Sequence, residues 1–206
     1  MKTIRILTLG FVAAALSCGV ALPLATAQDL AKNAAVHEHE TVDKIEKKVT
    51  EAMAKLSQED RKLALAQRFC PMMPHSRLGS MGMPMKLSIE GKPVFVCCKG
   101  CTENAVKGGA KTIKLVAGLS KATTTLEALS KEERIAIEAQ KFCAVNTGSL
   151  LGTMGAPIKL TIEGKPVYLC CDGCTAKANA NPAATLAKSE ELIHAGLKDE
   201  HGDHKH

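Results

Sequence analysis

Pro93-Val94-Phe95-Val96-Cys97-Cys98-Lys99-Gly100-Cys101 returns 73 residues later as Pro166-Val167-Tyr168-Leu169-Cys170-Cys171-Asp172-Gly173-Cys174. Working outward from this pair, residues 56–106 align with 129–179 without a gap, and 28 of the 51 pairs are identical. Cys70 and Cys143 fall into the same register, so the eight cysteines beyond residue 27 divide into two sets of four at identical spacing. Self-similarity at a fixed period marks a duplicated structural unit. The thiols are part of what is duplicated, so they belong to the fold.

Each copy reads the same way. Ser57 with Asp60, and Ser130 with Glu133, open a helix with a side-chain cap, and the helix runs to about residue 68 or 141 before the first Cys. A loop rich in Gly, Met and Pro follows. Met85-Lys86-Leu87-Ser88-Ile89-Glu90 alternates apolar and polar residues, which predicts a half-buried strand. Glu90-Gly91-Lys92 supplies a tight turn, and residues 93–97 form the return strand. Cys98-Lys99-Gly100-Cys101 is a knuckle at the hairpin's end, with a helix to follow. In the second copy Asn181-Pro182 restarts a helix that runs to about 197, Pro being suited to the first helical position. Upstream, Val42, Ile45, Val49, Met53 and Leu56 recur at helical spacing and predict an amphipathic helix.

The expected fold class is therefore α+β. It is a tandem repeat of two small units, each helix, loop, β-hairpin, Cys knuckle and helix, after an N-terminal amphipathic helix. The expected division is a signal peptide at 1–27, a helical linker at 28–55, metal-binding repeats at 56–128 and 129–191, and a His-rich tail at 192–206.

The leader is read from Lys2 and Arg5, the apolar run 6–24, and Ala25-Thr26-Ala27 before Gln28, which together have the form of a secretory signal. Cys18 leaves with it, and Ala-Leu-Ser-Cys is a poor match for lipidation. No later apolar stretch reaches the ~20 residues a spanning helix needs. The expected location is the periplasm or outside the cell, with no membrane span after signal removal. Over 206 residues aromatics are only 2%, with no Trp, against nine Cys, eight Met and seven His. A core this poor needs disulfides or metal to hold it. The net charge of +6 is spread among interleaved acids and bases, which excludes a nucleic-acid footprint. No paired carboxylates, phosphate loop or nucleophile elbow appears, so no enzyme is expected.

Thiolates brought together by a knuckle, with another delivered from ahead of the hairpin, suit Zn²⁺ or Cu⁺ as the bound ion. Strand parity limits the ligand set. With a two-residue turn, Met85, Leu87, Ile89, Val94, Val96 and Cys98 share one face, and Lys86, Ser88, Phe95 and Cys97 the other. Met85 is then expected in the core. One of Cys97 and Cys98 joins Cys70 and Cys101 in a three-thiolate site; the other is core, half of a disulfide or a transfer ligand. The same choice holds for Cys170 and Cys171 beside Cys143 and Cys174. Only the first copy adds Met72, Met73 and His75 next to its leading Cys. Thioethers favour Cu⁺, so the first unit is expected to prefer copper. His37, His39, His201, His204 and His206 at the two ends are candidates for weak metal capture.

The arrangement of a leading Cys and then an aromatic-x-Cys-x-x-x-Cys, on Cys70, Phe95, Cys97 and Cys101 and on Cys143, Tyr168, Cys170 and Cys174, resembles the YHS and TRASH group of small metal-binding domains. Asn181-Pro182 looks like that group's trailing Asn-Pro. The gap after the first Cys is longer here, and Cys98 and Cys171 stand where the group commonly has a non-ligand. The resemblance implies a treble-clef-like fold and a role in heavy-metal sensing, trafficking or resistance, with a metal-efflux or metal-delivery protein as partner. Two other readings stand beside the metal binder: a disulfide-stapled interaction module, and a thiol–disulfide oxidoreductase built on Cys-x-x-Cys.

Overall fold

The computed structural model describes residues 43–201, with side chains to Gly196. The leader with Cys18, His37 and His39, Val42, and the tail histidines His204 and His206 lie outside the described residues, as does the side chain of His201. Among the described residues there are seven α-helices and two antiparallel hairpins. The first helix, α1, spans 43–53 and buries Val49, Ala52 and Met53 on one side.

The first hairpin unit then runs α2 (Gln58–Gln67), β1 (Met85–Ile89), β2 (Lys92–Val96), α3 (Thr102–Gly108) and α4 (Ala110–Leu126). The second runs α5 (Lys131–Gln140), β3 (Ile158–Ile162), β4 (Lys165–Leu169), α6 (Thr175–Ala180) and α7 (Pro182–His201). The caps do what their residue types allow. Ser57 Oγ accepts from the Asp60 N–H at 3.1 Å, and Ser130 Oγ from the Glu133 N–H at 3.2 Å, each satisfying an N–H that the helix leaves free. Glu90 and Gly91 turn the first hairpin with φ of 50° and 74°, and Glu163 and Gly164 turn the second with 52° and 77°. Positive φ at both turn residues matches the twist of the strands they join.

The register pairs Met85 with Val96, Leu87 with Val94 and Lys86 with Phe95, the faces that parity predicts. Burial does not follow parity alone. β2 contacts both α2 and α4, so Val94, Phe95 and Val96 are all buried. β1 is the outer strand, and only Ile89 on it is fully covered. Met85, expected in the core, is instead 37% exposed, at the start of that strand.

α4 serves both units. Ile113 and Val116 near its start pack on the first core, and Leu126 at its end belongs to the second. A Cβ added at Gly79 would sit 3.1 Å from the Cα of Val49 on α1, and one at Gly152 would sit 3.1 Å from the Cα of Ala122 on α4. The end of α4 therefore braces the second loop as α1 braces the first. A third cluster of Phe69, Leu119, Ala122 and Leu150, with Leu115 and Phe142 against it, joins the two units.

Candidate metal centre

The position of the leading thiol is set by an abrupt chain reversal. α2 ends at Arg68 with φ 63°, ψ −42°, and α5 ends at Lys141 with φ 65°, ψ −48°. The Phe69 N–H donates to the Gln67 carbonyl and the Phe142 N–H to the Gln140 carbonyl, both at 2.7 Å. These are γ-turns of the rare positive-φ hand, which are strained for residues with side chains. Each turn aims the next residue but one, Cys70 or Cys143, inward, and both are 0% exposed. The loop closes behind it: the Cys70 N–H donates to the Ser76 carbonyl, and the Cys143 N–H to the Ser149 carbonyl, at 3.0 Å.

A buried glutamine holds the turn against the hairpin. Gln67 Nε2 donates to the carbonyls of Phe69 (2.9 Å) and Phe95 (2.6 Å), and its Oε1 accepts from the Phe95 N–H at 2.9 Å. Gln140 makes the same three bonds to Phe142 and Tyr168. The helix end, the leading Cys and the strand that carries the second Cys are thereby fixed to one another.

Past the hairpin the chain tightens into short 3₁₀ turns, Lys99–Cys101 and Asp172–Cys174. The Cys101 N–H returns to the Cys98 carbonyl at 3.2 Å and the Cys174 N–H to that of Cys171 at 3.1 Å. This brings Cys101 beneath Cys97, Sγ to Sγ 3.7 Å, and Cys174 beneath Cys170 at the same distance. In each unit three buried sulfurs, Cys70, Cys97 and Cys101 or Cys143, Cys170 and Cys174, lie within 4.8 Å of one another. These triads could hold a metal ion; the eight cysteines among the described residues are all free thiols.

The triads are polarised. The Cys70 thiol is held down to about 6, chiefly by its hydrogen bond with Cys97, with the N–H groups of Met72 and Met73 adding to it. The same hydrogen bond with Cys70 pushes Cys97 up, and burial pushes Cys101 up to about 12. In the second unit burial raises Cys143, but N–H groups led by that of Asn146, 3.3 Å from its sulfur, outweigh it and leave the thiol lowered. Burial raises Cys170 and takes Cys174 up to about 12. In each triad the leading thiol is thus the one that gives up its proton most readily and the other two hold theirs more tightly, and a cation that binds takes the place of those protons.

The other candidate residues are placed as follows. Cys98 and Cys171 are half-buried, outside the triads but touching them. Cys98 Sγ lies 3.8 Å from Cys101 Sγ, and Cys171 Sγ lies 3.8 Å from Cys170 Sγ. The Met73 thioether lies 3.9 Å from Cys97 Sγ. Met72 packs on the first core. His75 stands at the contact between units, edge-on to the Phe142 ring and against Gly196 on α7.

Gln67, Gln140 and the γ-turn residues were not singled out from the sequence. The identity of Gln67 with Gln140 in the repeat was the available signal. No protein-family profile matches this chain, and neither a curated protein nor a solved structure does.

Proposed function

We propose that this chain is an exported, non-enzymatic protein that binds one soft heavy-metal ion, Cu⁺ or Zn²⁺, in each repeat, and buffers it or hands it to a metal-efflux or metal-delivery protein. The observation that carries the reading is the convergence of three buried thiols on one point, twice. A disulfide joins sulfurs in pairs, whereas three soft ligands meeting at one point are what a d¹⁰ cation takes. The ion would also supply folding energy that an aromatic-poor unit lacks. The resemblance to the YHS and TRASH group, the signal-like residues 1–27 and the mild charge agree with this role. Among the described residues no helix is long and apolar enough to cross a membrane.

The first repeat, with Met73 beside its triad, is the copper-preferring one. The second has Asn146 at the corresponding place and holds its ion by thiolates.

Native mass measurement of the protein purified from its exported location, with and without a thiol label, tests the reading. The expected result is two bound ions and cysteines that label fully only after metal removal. Cysteines that stay unlabelled after metal removal and react only after reduction would establish the disulfide-stapled module instead.

A further inference from the structure

Cys98 and Cys171 have no place inside the triads, yet each repeat keeps them. Each outer sulfur lies 3.8 Å from a triad sulfur, Cys98 from Cys101 across the 3₁₀ turn and Cys171 from Cys170, its neighbour in the chain. They differ from the triad in access. Cys70, Cys97 and Cys101 are 0%, 2% and 6% exposed, while Cys98 is half-buried, and the second repeat shows the same contrast. The outer sulfur also stands beside a glycine. A Cβ at Gly100 would lie 3.9 Å from Cys98 Sγ, and one at Gly173 would lie 3.8 Å from Cys171 Sγ. Neither glycine has the left-handed φ that would require it, and both are exposed. Backbone conformation does not account for a glycine here, and a side chain in its place would lie against the outer sulfur.

From this we infer that Cys98 and Cys171 are relay thiolates, through which a metal ion passes between the buried triad and a thiolate or other soft ligand of an acceptor. The inference rests on the reading of the triads as metal sites. A buried three-thiolate ion offers an acceptor no direct approach, because burial that protects the ion also slows its exchange. A fourth thiolate at 3.8 Å removes the difficulty. As the bond from the metal to Cys98 forms, the bond to Cys101 breaks and Cys101 takes up the proton that Cys98 gave. The ion then sits one step nearer solvent, where an incoming ligand replaces a second sulfur. No electron moves and the oxidation state of the ion is unchanged. In the second repeat Cys170 is the partner of the exchange.

The two outer sulfurs are flanked by opposite exposed charges, Lys99 and Asp172. An anionic acceptor is therefore drawn to the first repeat and repelled from the second.

The test uses the whole chain loaded with Cu⁺ or with Zn²⁺, and its double variant Cys98→Ser/Cys171→Ser. Ion count per chain is measured first, and the rate of metal loss to an excess of an anionic chelator second. The expected result is an unchanged ion count with release slowed about tenfold or more. Gly100→Val, which adds bulk beside Cys98 and removes no sulfur, is expected to slow release from the first repeat in the same way. Release as fast as in the original chain, or a lower ion count in the serine variant, overturns the relay: the first shows the sulfur idle, the second makes it a resident ligand. An original chain that binds no ion at all is a different outcome, since it removes the metal sites themselves and the relay with them.

Discussion

The thioether sulfur of Met73 lies 3.9 Å from the thiol of Cys97, and the residue at the same place in the second repeat is Asn146, whose backbone N–H donates to Cys143 Sγ. In both repeats the backbone N–H at this position faces the leading thiol, and only the first adds a thioether sulfur beside the triad. Thioethers suit Cu⁺, whereas Zn²⁺ sites are built from Cys, His and carboxylates. Met73→Asn is therefore expected to weaken Cu⁺ binding at the first repeat by about tenfold, roughly 1.4 kcal/mol, and to leave Zn²⁺ binding within a factor of about two. Competition titrations with a chromogenic chelator for each ion read this directly. Equal losses for both ions would mean that Met73 acts through packing.

The protons on the first triad set how the proposed metal binding depends on pH. Cys70 is held down to about 6, so near neutral pH it is mostly thiolate, while Cys97 is raised and Cys101 stands at about 12. An ion that binds all three displaces about two protons above pH 6 and about three below it. Apparent affinity is expected to climb about 100-fold per pH unit from near 7 to near 9, and more steeply below 6. Buffered titrations across this range, together with proton release in weakly buffered solution, check it. A slope of one proton per ion would show that only a single thiol is displaced.

The hairpins and the gathering of sulfurs were legible in the sequence because both rest on short-range patterns. Alternation over Met85–Ile89, the Glu90-Gly91 turn and the four residues from Cys98 to Cys101 are each complete within a few positions. What escaped depends on contacts made across the folded unit. Gln67 reads as one polar residue near a helix end until Phe95, 28 positions away, is brought to its amide. Arg68 and Lys141 hold a conformation that propensity steers away from, and only the packing around them imposes it. Met85 misled because alternation tells which face a side chain takes, and not whether a helix covers that face. The double use of α4 was hidden because its periodicity is that of any buried helix.

Gln67 ties three backbone groups of two segments, so its loss strands all of them. Gln67→Met keeps the volume and removes the hydrogen bonds to Phe69 and to both polar groups of Phe95. Buried backbone groups left without partners cost about 1–3 kcal/mol each, and with three of them stranded the variant is expected to lose about 3 kcal/mol or more of stability. Chemical denaturation of the metal-free protein measures this. Metal affinity should fall as well, since the strand carrying Cys97 is no longer pinned to the turn carrying Cys70. A variant as stable as the original would show that water replaces the amide.

Lys141 lies buried at the contact between repeats, 4% exposed, with its Nζ over the Phe69 ring. Burial drives its pKa well below the usual lysine value, only partly opposed by Glu138, whose carboxylate is engaged by Arg68 at 2.7 Å. In the unfolded chain the same lysine keeps its proton to about pH 10.4. Between the lowered folded value and that limit the unfolded state binds more protons, so stability rises with pH through this window. At neutral pH the buried site carries a standing cost. Lys141→Met keeps the stem against Phe69 and discards the charge. It is expected to raise the melting temperature at pH 7 and to flatten the gain in stability that the original protein shows towards pH 10. Melting curves of both proteins at several pH values supply the comparison. A variant that melts lower at pH 7 would show that the cation held over the aromatic ring stabilises the contact more than its burial costs.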